Sequence, residues 1–333
     1  MTASADRIPS LLEAVVPPEH RGIARDKVRL LVTDRTTRIH EHAHFDALPE
    51  FLRAGDLLVV NDSGTLPAAI TAKRGDGTSL QVHVSGMIDR RLGMAEPRGT
   101  VLAGEELRLP GGASAVPIAP VDPQRPRLWY VWFQLPGSMA EYLSNFGEPI
   151  RYGYVSSRFP LADYQTIFAK EPGSAEMPSA ARPFTPRVVT ALLERGVQIA
   201  TITLHCGVAS FEAPERPATE RYAVSAQTAH AVNQARAQGR RVIAVGTTAL
   251  RALESAVQED GVTASSGWTD LVIEPGYVPK AADALLTGFH DAAATHQWIL
   301  RAFLDAPLLT EAYAEAAECG YYQHEFGDVH LIL

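Results

Sequence analysis

The sequence predicts an α/β protein of two domains, a larger α/β domain with mainly parallel strand pairing and a small inserted β-barrel domain. Three observations lead to this expectation. The chain has 333 residues, short strands separated by Gly and Pro fill the stretch 66–149, and strands alternate with helices from about residue 150 onward. We therefore place the α/β domain at residues 1–65 and 150–333, and the β-barrel domain at 66–149.

The N-terminal part contributes two strands to the larger domain. They are DKVRLLVTD at 26–34 and the apolar run within AGDLLVVND at 54–62, which Gly and polar residues bound on both sides. In the insertion, AITAKR and SLQVHVS flank GDGT as a hairpin, and Leu80, Val82 and Val84 alternate with polar residues, so one face is buried. RLWYVWFQL is a further short strand of the same region.

The C-terminal half alternates helix and strand. Thr185 and Pro186 begin the helix RVVTALLER, and the strand VQIATITL follows it. A second helix extends from Ser225 to Gly239, and the strand RRVIAVG leads into the helix GTTALRALESAV. TDLVIEP near 269 predicts another strand, and helical patterns at 293–304 and 308–318 close the chain. This order indicates α/β layers with mainly parallel pairing.

Composition narrows the class of protein. Apolar residues make up 46% and charged residues 20%, as in ordinary globular proteins. The formal net charge of −8 argues against broad, unspecific nucleic-acid binding, although clusters such as Lys73–Arg74 and Arg90–Arg91 leave a local basic patch open. We interpret those clusters as solvated surface charge.

The chain also carries signals about its location. Its start lacks a signal-peptide pattern, and no apolar run approaches the roughly 18 residues that span a bilayer. Cys206 and Cys319 are too few for a disulfide framework or a four-ligand zinc site. We expect a cytoplasmic protein with no membrane partner.

The stretch RVIAVGTTALRALESA at 241–256 is the sharpest chemical feature. A buried strand ends at Gly246, two threonines follow and a helix begins, so backbone N–H groups and the helix dipole can hold an anionic group. Arg251 near the helix start suggests the same ligand. The alternative is that Thr248 caps the helix and Arg251 pairs with a surface acid. We favour the ligand site, because ligands in α/β proteins bind at the carboxyl ends of the strands.

A second candidate is TLHCGVASFE at 203–212, where a strand ends in His205. His205 can serve as acid, base or hydrogen-bond donor, and Gly207 would let a ligand approach the backbone. A satisfied core histidine is the alternative, and Cys206 is interpreted as a small buried residue. His40, His42 and His44 alternate among charged neighbours, which favours an exposed strand or loop, and we expect no metal site.

Taken in order, several stretches resemble the S-adenosylmethionine:tRNA ribosyltransferase-isomerase family of queuosine biosynthesis. They are RLLVTDR, FLRAGDLLVVND, YQTIFA, GVQIATITLHCGVASF, RVIAVGTTALRALESA, EPGY, DALLTGFH and a C-terminal FGD. The resemblance implies an α/β domain with an inserted β-barrel and S-adenosylmethionine as a consumed substrate, without a metal. It implies transfer and isomerisation of the ribosyl group onto a 7-aminomethyl-7-deazaguanine base in tRNA, with release of adenine and methionine.

The resemblance and the residue patterns together suggest a set of roles. Gly246, Thr247, Thr248 and Arg251 are expected to hold an anionic group or the ribose hydroxyls, and His205 with Gly207 to lie against the reacting sugar. His205 is the candidate catalytic base. The remaining candidates are Arg182 and Ser179, which touch donor or acceptor, and Asp62 and Asp328, which make polar contacts at the mouth of the site.

The chain departs from the family pattern in loops. GSAEMPSAARPFT carries Arg182 and Pro183 where the family has Leu-His, the segment after SFEAPE is shortened, and YYQHEFGD replaces an aromatic pair with Ser-Tyr-Gly-Asp. Two alternatives to the family reaction therefore stay open. One is cleavage or transfer of part of S-adenosylmethionine with a small-molecule acceptor or none, and the other is an inactive protein that binds S-adenosylmethionine. The sequence does not fix the oligomeric state.

Overall fold

A computed structural model of the protein describes residues 8–155, 157–208 and 216–333. It combines a nine-stranded mixed sheet, flanked by helices, with a closed six-stranded antiparallel barrel. This architecture confirms the predicted class, an α/β protein with an inserted β-barrel. No helix in the described ranges is long and apolar enough to cross a membrane.

The strands of the described residues are numbered in chain order. They are β1 Leu12–Glu13, β2 Arg29–Asp34, β3 Ile39–His44, β4 Leu57–Asn61, β5 Ser63–Thr65, β6 Ala69–Lys73, β7 Ser79–Met87, β8 Leu92–Pro97, β9 Leu107–Arg108, β10 Ser114–Pro120, β11 Trp129–Gln134, β12 Glu171–Ser174, β13 Gln198–Leu204, β14 Glu220–Val224, β15 Val242–Val245, β16 Val257–Gln258, β17 Gly261–Val262, β18 Ser265–Thr269, β19 Ala284–Gly288, β20 Tyr322–Gln323 and β21 Val329–Ile332.

The helices of the same residues are mostly short. The α helices are α1 Leu48–Phe51, α2 Met139–Phe146, α3 Pro186–Glu194, α4 Ala226–Ala237, α5 Thr247–Ser255, α6 His296–Leu300 and α7 Ala306–Glu318. Single 3₁₀ turns lie at Pro18–Arg21, Arg25–Lys27, Phe45–Ala47, Pro110–Gly112, Leu161–Tyr164 and Ser179–Ala181.

The large sheet has the strand order β18-β14-β13-β4-β15-β19-β21-β2-β3. Its centre is parallel, from β13 through β4 and β15 to β19, and β21 pairs with β2 in parallel as well. The remaining pairings, β18 with β14, β14 with β13, β19 with β21 and β2 with β3, are antiparallel. The sheet is therefore mixed, and the predicted parallel pairing describes its centre rather than its margins.

Helices cover both faces of the sheet centre. Along β4, Leu57 and Val59 pack into the core beneath α4, α5 and α7, whereas Leu58 and Val60 pack into the core beneath α1 and α3. A strand buried on both faces carries a continuous apolar run instead of an alternating one. This explains why LLVV was recognisable as a central strand.

The barrel closes in the order β10-β11-β8-β7-β6-β9. Leu80, Val82 and Val84 of β7 are buried inside it, as the alternation predicted. The chain enters and leaves the barrel at one place, because Ala69 and Glu148 exchange both backbone hydrogen bonds at 2.9 Å. The barrel strands lie within 69–134, and the proposed domain boundaries at 66 and 149 remain a prediction.

Two predicted elements differ in the structure. The strand expected at TDLVIEP is wrong: β18 ends at Thr269, and the chain then turns so that the carbonyl of Leu271 accepts a hydrogen bond from Arg251. The helix expected at 293–304 is limited to α6, His296–Leu300. The chain leaves this helix early because Asp305, in an extended conformation, caps α7 by accepting from the N–H of Leu308 at 2.8 Å.

Candidate active site

A cavity of about 620 Å³ lies at the carboxyl ends of three strands from the parallel centre of the sheet, β13, β15 and β19; β4 lies between β13 and β15. Its floor is formed where these strands end, at Cys206–Val208, Gly246–Thr248 and Thr287–His290. The barrel contributes a loop, Val121–Leu128, to the rim. A cavity of this size at the carboxyl edge of an α/β sheet is where small molecules bind in such folds.

The N-terminus of α5 forms part of this floor. Gly246 precedes the helix with φ of 92°, a conformation that favours glycine, and no described side chain caps the helix. The first N–H groups of an α helix have no intrahelical acceptor, so those of Thr247 and Thr248 remain available to a ligand. Asn61 at the end of β4 donates to the Thr248 hydroxyl at 3.3 Å and orients it. The structure thus brings Gly246, Thr247 and Thr248 to the cavity, and their expected contact with an anionic group or the ribose hydroxyls stays a prediction.

Arg251 also borders the cavity, but its guanidinium group is already bonded to the protein. It donates to the Glu220 carboxylate at 2.5 Å and to the carbonyls of Ala218, Thr269 and Leu271 at 2.8–3.0 Å. Arg251 is 5% exposed. The anion beside Arg251 is Glu220, a partly buried residue rather than a surface acid, and a contact between Arg251 and an anionic ligand stays a prediction.

Glu220 is a site residue that the sequence reasoning missed. One carboxylate oxygen pairs with Arg251, and the other accepts the backbone N–H of Gly207 at 2.7 Å. Burial raises the pKa of Glu220, and the charge of Arg251 opposes that rise. Glu220 thereby fixes the turn at Gly207, which lines the cavity as predicted. The stretch 209–215 that follows lies outside the described residues.

Ser179 and Arg182 belong to the same loop but lie in different environments. Ser179 borders the large cavity, in agreement with expectation. Arg182 is 2% exposed, pairs with Glu19 at 2.9 Å, donates to the carbonyl of Asp163 and lies over the ring of Phe326 at 5.1 Å. The structure does not bring Arg182 to the cavity, and its guanidinium group instead joins the N-terminal segment to the C-terminal strand region.

Asp62 and Asp328 do not line the large cavity. Asp62 accepts from the hydroxyl of Thr203 at 2.6 Å. Asp328 accepts the backbone N–H groups of Arg29 and Tyr322 at 2.7 and 2.8 Å. Both carboxylates fasten neighbouring chain segments, so the expected polar contacts at the mouth do not fit their placement.

His205 lines a second, smaller cavity of about 190 Å³ rather than the large one. Its Nδ1 lies 2.8 Å from the hydroxyl of Ser63, which lies 2.6 Å from the hydroxyl of Ser174. Burial lowers the pKa of His205, with the charge of Arg221 acting in the same direction. The imidazole is therefore neutral near pH 7.

Histidines that are scattered in the sequence meet at the large cavity. His290 and His296 stack at 4.2 Å between ring centroids, and His324 stacks on Tyr154 at 4.2 Å. Burial lowers the pKa of His290, and lowers that of His296 to about 4. Within the described ranges, no group of three His, Cys, Asp or Glu is arranged to hold a metal ion. These rings form a flat, neutral wall.

The family model described as "Queuosine biosynthesis protein" matches residues 7–332 of the chain. The chain belongs to the queuosine biosynthesis family. It is 38% identical to the S-adenosylmethionine:tRNA ribosyltransferase-isomerase of Moorella thermoacetica, over 93% of this chain and 94% of the relative. It is 37% identical to the enzyme of the same name from Thermus thermophilus, over 96% of this chain and 97% of that one.

A solved structure extends the similarity to three dimensions. The crystal structure of an S-adenosylmethionine tRNA ribosyltransferase from Thermotoga maritima covers 98% of this chain and is itself covered completely, with a TM-score of 0.57 and 29% identity. The mixed sheet and the inserted barrel are thus features of the queuosine biosynthesis family.

In this member of the queuosine biosynthesis family, the carboxyl group best suited to proton transfer in the large cavity is Glu325. It borders the cavity and accepts a hydrogen bond from the hydroxyl of Tyr154. Burial raises the pKa of Glu325. A carboxylate with a raised pKa is a stronger base than an exposed one. The only sequence signal for this residue was its position in YYQHEFGD, the altered C-terminal stretch.

Cys206 lies on the floor of the same cavity, and its thiol is not activated. Burial raises the pKa of Cys206, and the thiol donates to the carbonyl of Leu204 at 3.7 Å. The thiolate required of a nucleophile is therefore scarce at neutral pH. The expectation of a small buried residue agrees with this environment.

Proposed function

We propose that this protein is an S-adenosylmethionine:tRNA ribosyltransferase-isomerase. It moves the ribosyl group of S-adenosylmethionine onto the aminomethyl group of a 7-aminomethyl-7-deazaguanine base in tRNA, isomerises it and releases adenine and methionine. The observation that carries this proposal is family membership over residues 7–332, with relatives of that activity at 37–38% identity. Because tRNA is the acceptor, the protein acts in the cytoplasm.

The donor occupies the large cavity and is consumed as a substrate, and the proposed steps need no metal. The backbone N–H groups of Thr247 and Thr248 donate to the ribose hydroxyl oxygens, because they point from a helix N-terminus that no described side chain caps. Gly207 and Ser179 border the sugar from neighbouring loops. The stacked rings of His290 and His296 offer a flat wall for adenine.

Glu325 is the group that we assign to proton abstraction in this chain; because it lies in YYQHEFGD, where the family pattern has Ser-Tyr-Gly-Asp, the assignment does not extend to the relatives. A sulfonium makes the protons on the neighbouring C5′ carbon acidic, and a positioned base can remove one to begin the rearrangement. Glu325 has a carboxylate at the cavity wall, held by the Tyr154 hydroxyl, and its burial raises its pKa. His205 is less suited to this step, because it faces the smaller cavity.

The acceptor approaches over the rim that the barrel supplies. Arg125 on the loop Val121–Leu128 is exposed at this rim, and no described residue forms an ion pair with it. One exposed guanidinium group at the rim suits contact with one phosphate of a tRNA backbone. This local contact is compatible with a net charge of −8, because recognition of one nucleotide does not need a wide basic surface.

The proposal is tested with purified protein, S-adenosylmethionine and two tRNAs, one carrying 7-aminomethyl-7-deazaguanine and a matched control carrying guanine at that position. Adenine and methionine are measured over time. We expect release only with the first tRNA. Release without any tRNA would indicate donor cleavage instead, binding without release would indicate a protein that only senses the donor, and absence of binding would overturn the proposal.

A further inference from the structure

The cavity of about 190 Å³ that His205 lines lies between the barrel, α2 and the margin of the large sheet. Its walls are largely apolar and rich in sulfur: Met87 and Met94 come from the barrel and Met139 from α2. Methionine side chains adapt readily to a flexible, polarizable ligand. Ligand sites also favour such positions between domains.

The smaller cavity adjoins the proposed donor site. Ala175, Gly207, Thr219 and Glu220 line both cavities. Gly207 forms a thin partition because it has no side chain, and a Cβ there would lie 2.7 Å from the hydroxyl of Ser85. Because these residues line both cavities, the two cavities are adjacent, and a ligand that occupies both would have to extend a short chain past Gly207.

One end of the smaller cavity carries hydrogen-bond donors, beginning with His205. Ser174 has no exposed surface, and its hydroxyl oxygen accepts the N–H of Cys206 at 2.9 Å. We therefore assign the Ser174 proton to a hydrogen bond with the hydroxyl oxygen of Ser63, 2.6 Å away. We assign the Ser63 proton to Nδ1 of His205, 2.8 Å away. An imidazole that accepts at Nδ1 carries its proton on Nε2, so His205 is a donor toward a ligand.

Arg221 is the second donor at this cavity. It lies on β14 beside Glu220, is exposed, and forms no ion pair with any described residue. The carboxylates of Asp62 and Glu171 are close enough to His205 to act on it electrostatically. The cavity thus has an apolar, sulfur-lined body and an end with the donors His205 and Arg221, and the carboxylates of Asp62 and Glu171 lie near His205 without lining the cavity. Such a cavity is suited to an amino acid with an apolar side chain.

We propose that this smaller cavity binds the methionyl part of S-adenosylmethionine and, after the reaction, methionine. The carboxylate receives hydrogen bonds from His205 Nε2 and Arg221, the α-ammonium lies in the field of Asp62 and Glu171, and the sulfur-bearing chain lies along Met87, Met94 and Met139. This inference rests on the proposed function. It assigns to His205 a binding role in place of the role of base.

The test compares S-adenosylmethionine with its decarboxylated form, which differs only in the carboxylate. Binding to the full chain is measured by calorimetry for the wild type, Arg221→Gln, His205→Leu and the control Arg90→Gln, an exposed arginine remote from both cavities. We expect Arg221→Gln and His205→Leu each to raise the Kd for S-adenosylmethionine about tenfold. The Kd for the decarboxylated form should change less than about twofold, and Arg90→Gln should leave both values unchanged.

Product inhibition gives a second readout. Methionine should compete with S-adenosylmethionine in the wild type and lose about tenfold in potency in Arg221→Gln. Equal changes for both donor forms, or no change for either, would overturn the methionyl site while leaving adenine release with tRNA intact. A wild-type protein that neither binds nor consumes S-adenosylmethionine would overturn the proposed function itself.

Discussion

Replacing Arg251 with alanine separates two roles for this residue, a ligand contact and a structural ion pair. The guanidinium group is 5% exposed and donates to Glu220 and to three backbone carbonyls. The variant would leave a buried carboxylate and those carbonyls without their donor. We expect the free energy of unfolding to fall by about 3–5 kcal/mol, the cost of breaking a buried charge pair from one side.

The pH dependence of that loss follows from Glu220. Burial already raises the pKa of Glu220, and Arg251 opposes the rise, so removing Arg251 raises the pKa further. A carboxyl group whose folded-state pKa is raised favours the folded state at low pH and loses that contribution as pH rises through the folded-state pKa. The deficit of Arg251→Ala should therefore be smaller at pH 5 than at pH 8.

Urea unfolding followed by circular dichroism measures this deficit, and calorimetry measures the Kd for S-adenosylmethionine. For the unfolding measurement alone, Arg221→Gln is the matched control, because this neighbouring arginine is exposed and forms no ion pair with the described residues; its stability should stay within about 0.5 kcal/mol of the wild type. If Arg251→Ala unfolds like the wild type while its Kd rises sharply, Arg251 is a ligand contact and the reasoning fails.

Three further variants test other parts of the molecule. Glu325→Gln should lower kcat at least about 100-fold and abolish the fall in kcat/KM on the acid side, without loss of stability; retained turnover would remove Glu325 as the base. Burial favours the neutral form of Glu96, but hydrogen bonding and arginine charges outweigh it and lower the pKa of Glu96 to about 2. The ionised carboxylate therefore stabilises the fold by about 3 kcal/mol above pH 4.5, and this contribution is lost as pH falls toward 2. Glu96→Gln should flatten that part of a stability–pH curve, and an unchanged curve would contradict the assignment. Gly173→Ala should raise the KM for S-adenosylmethionine, because the new Cβ would clash with Nδ1 of His205 and displace the ring. A crystal structure of the variant in which the ring has not moved would refute this.

The sequence carried enough information for the centre of the fold. A continuous apolar run predicted β4, and the pattern of strand, Gly246 and helix predicted both α5 and its place at the cavity. The strands β14 and β21, which pair antiparallel with β13 and β19, were missed, because each is a segment of four or five residues whose pairing is decided by distant parts of the chain.

The part of the site that could not be predicted is which side chains pair with residues distant in sequence. Arg251 was correctly placed beside the cavity, but its partner Glu220 belongs to another element, and no local spacing joins the two. The same holds for Arg182, whose partner Glu19 is 163 residues away. His205 was recognised as chemically important, yet which cavity it faces depends on how β13 meets the barrel.

Two loops that depart from the family pattern lie in different places relative to the large cavity. Arg182 and Pro183 replace the expected Leu-His in one loop, and Arg182 is bonded to Glu19 and Asp163 and does not line the large cavity. His324 and Glu325, in the altered C-terminal stretch, both border the cavity. A difference in rate or acceptor between this chain and its relatives should therefore originate at His324 and Glu325, where the replaced side chains can meet the substrates.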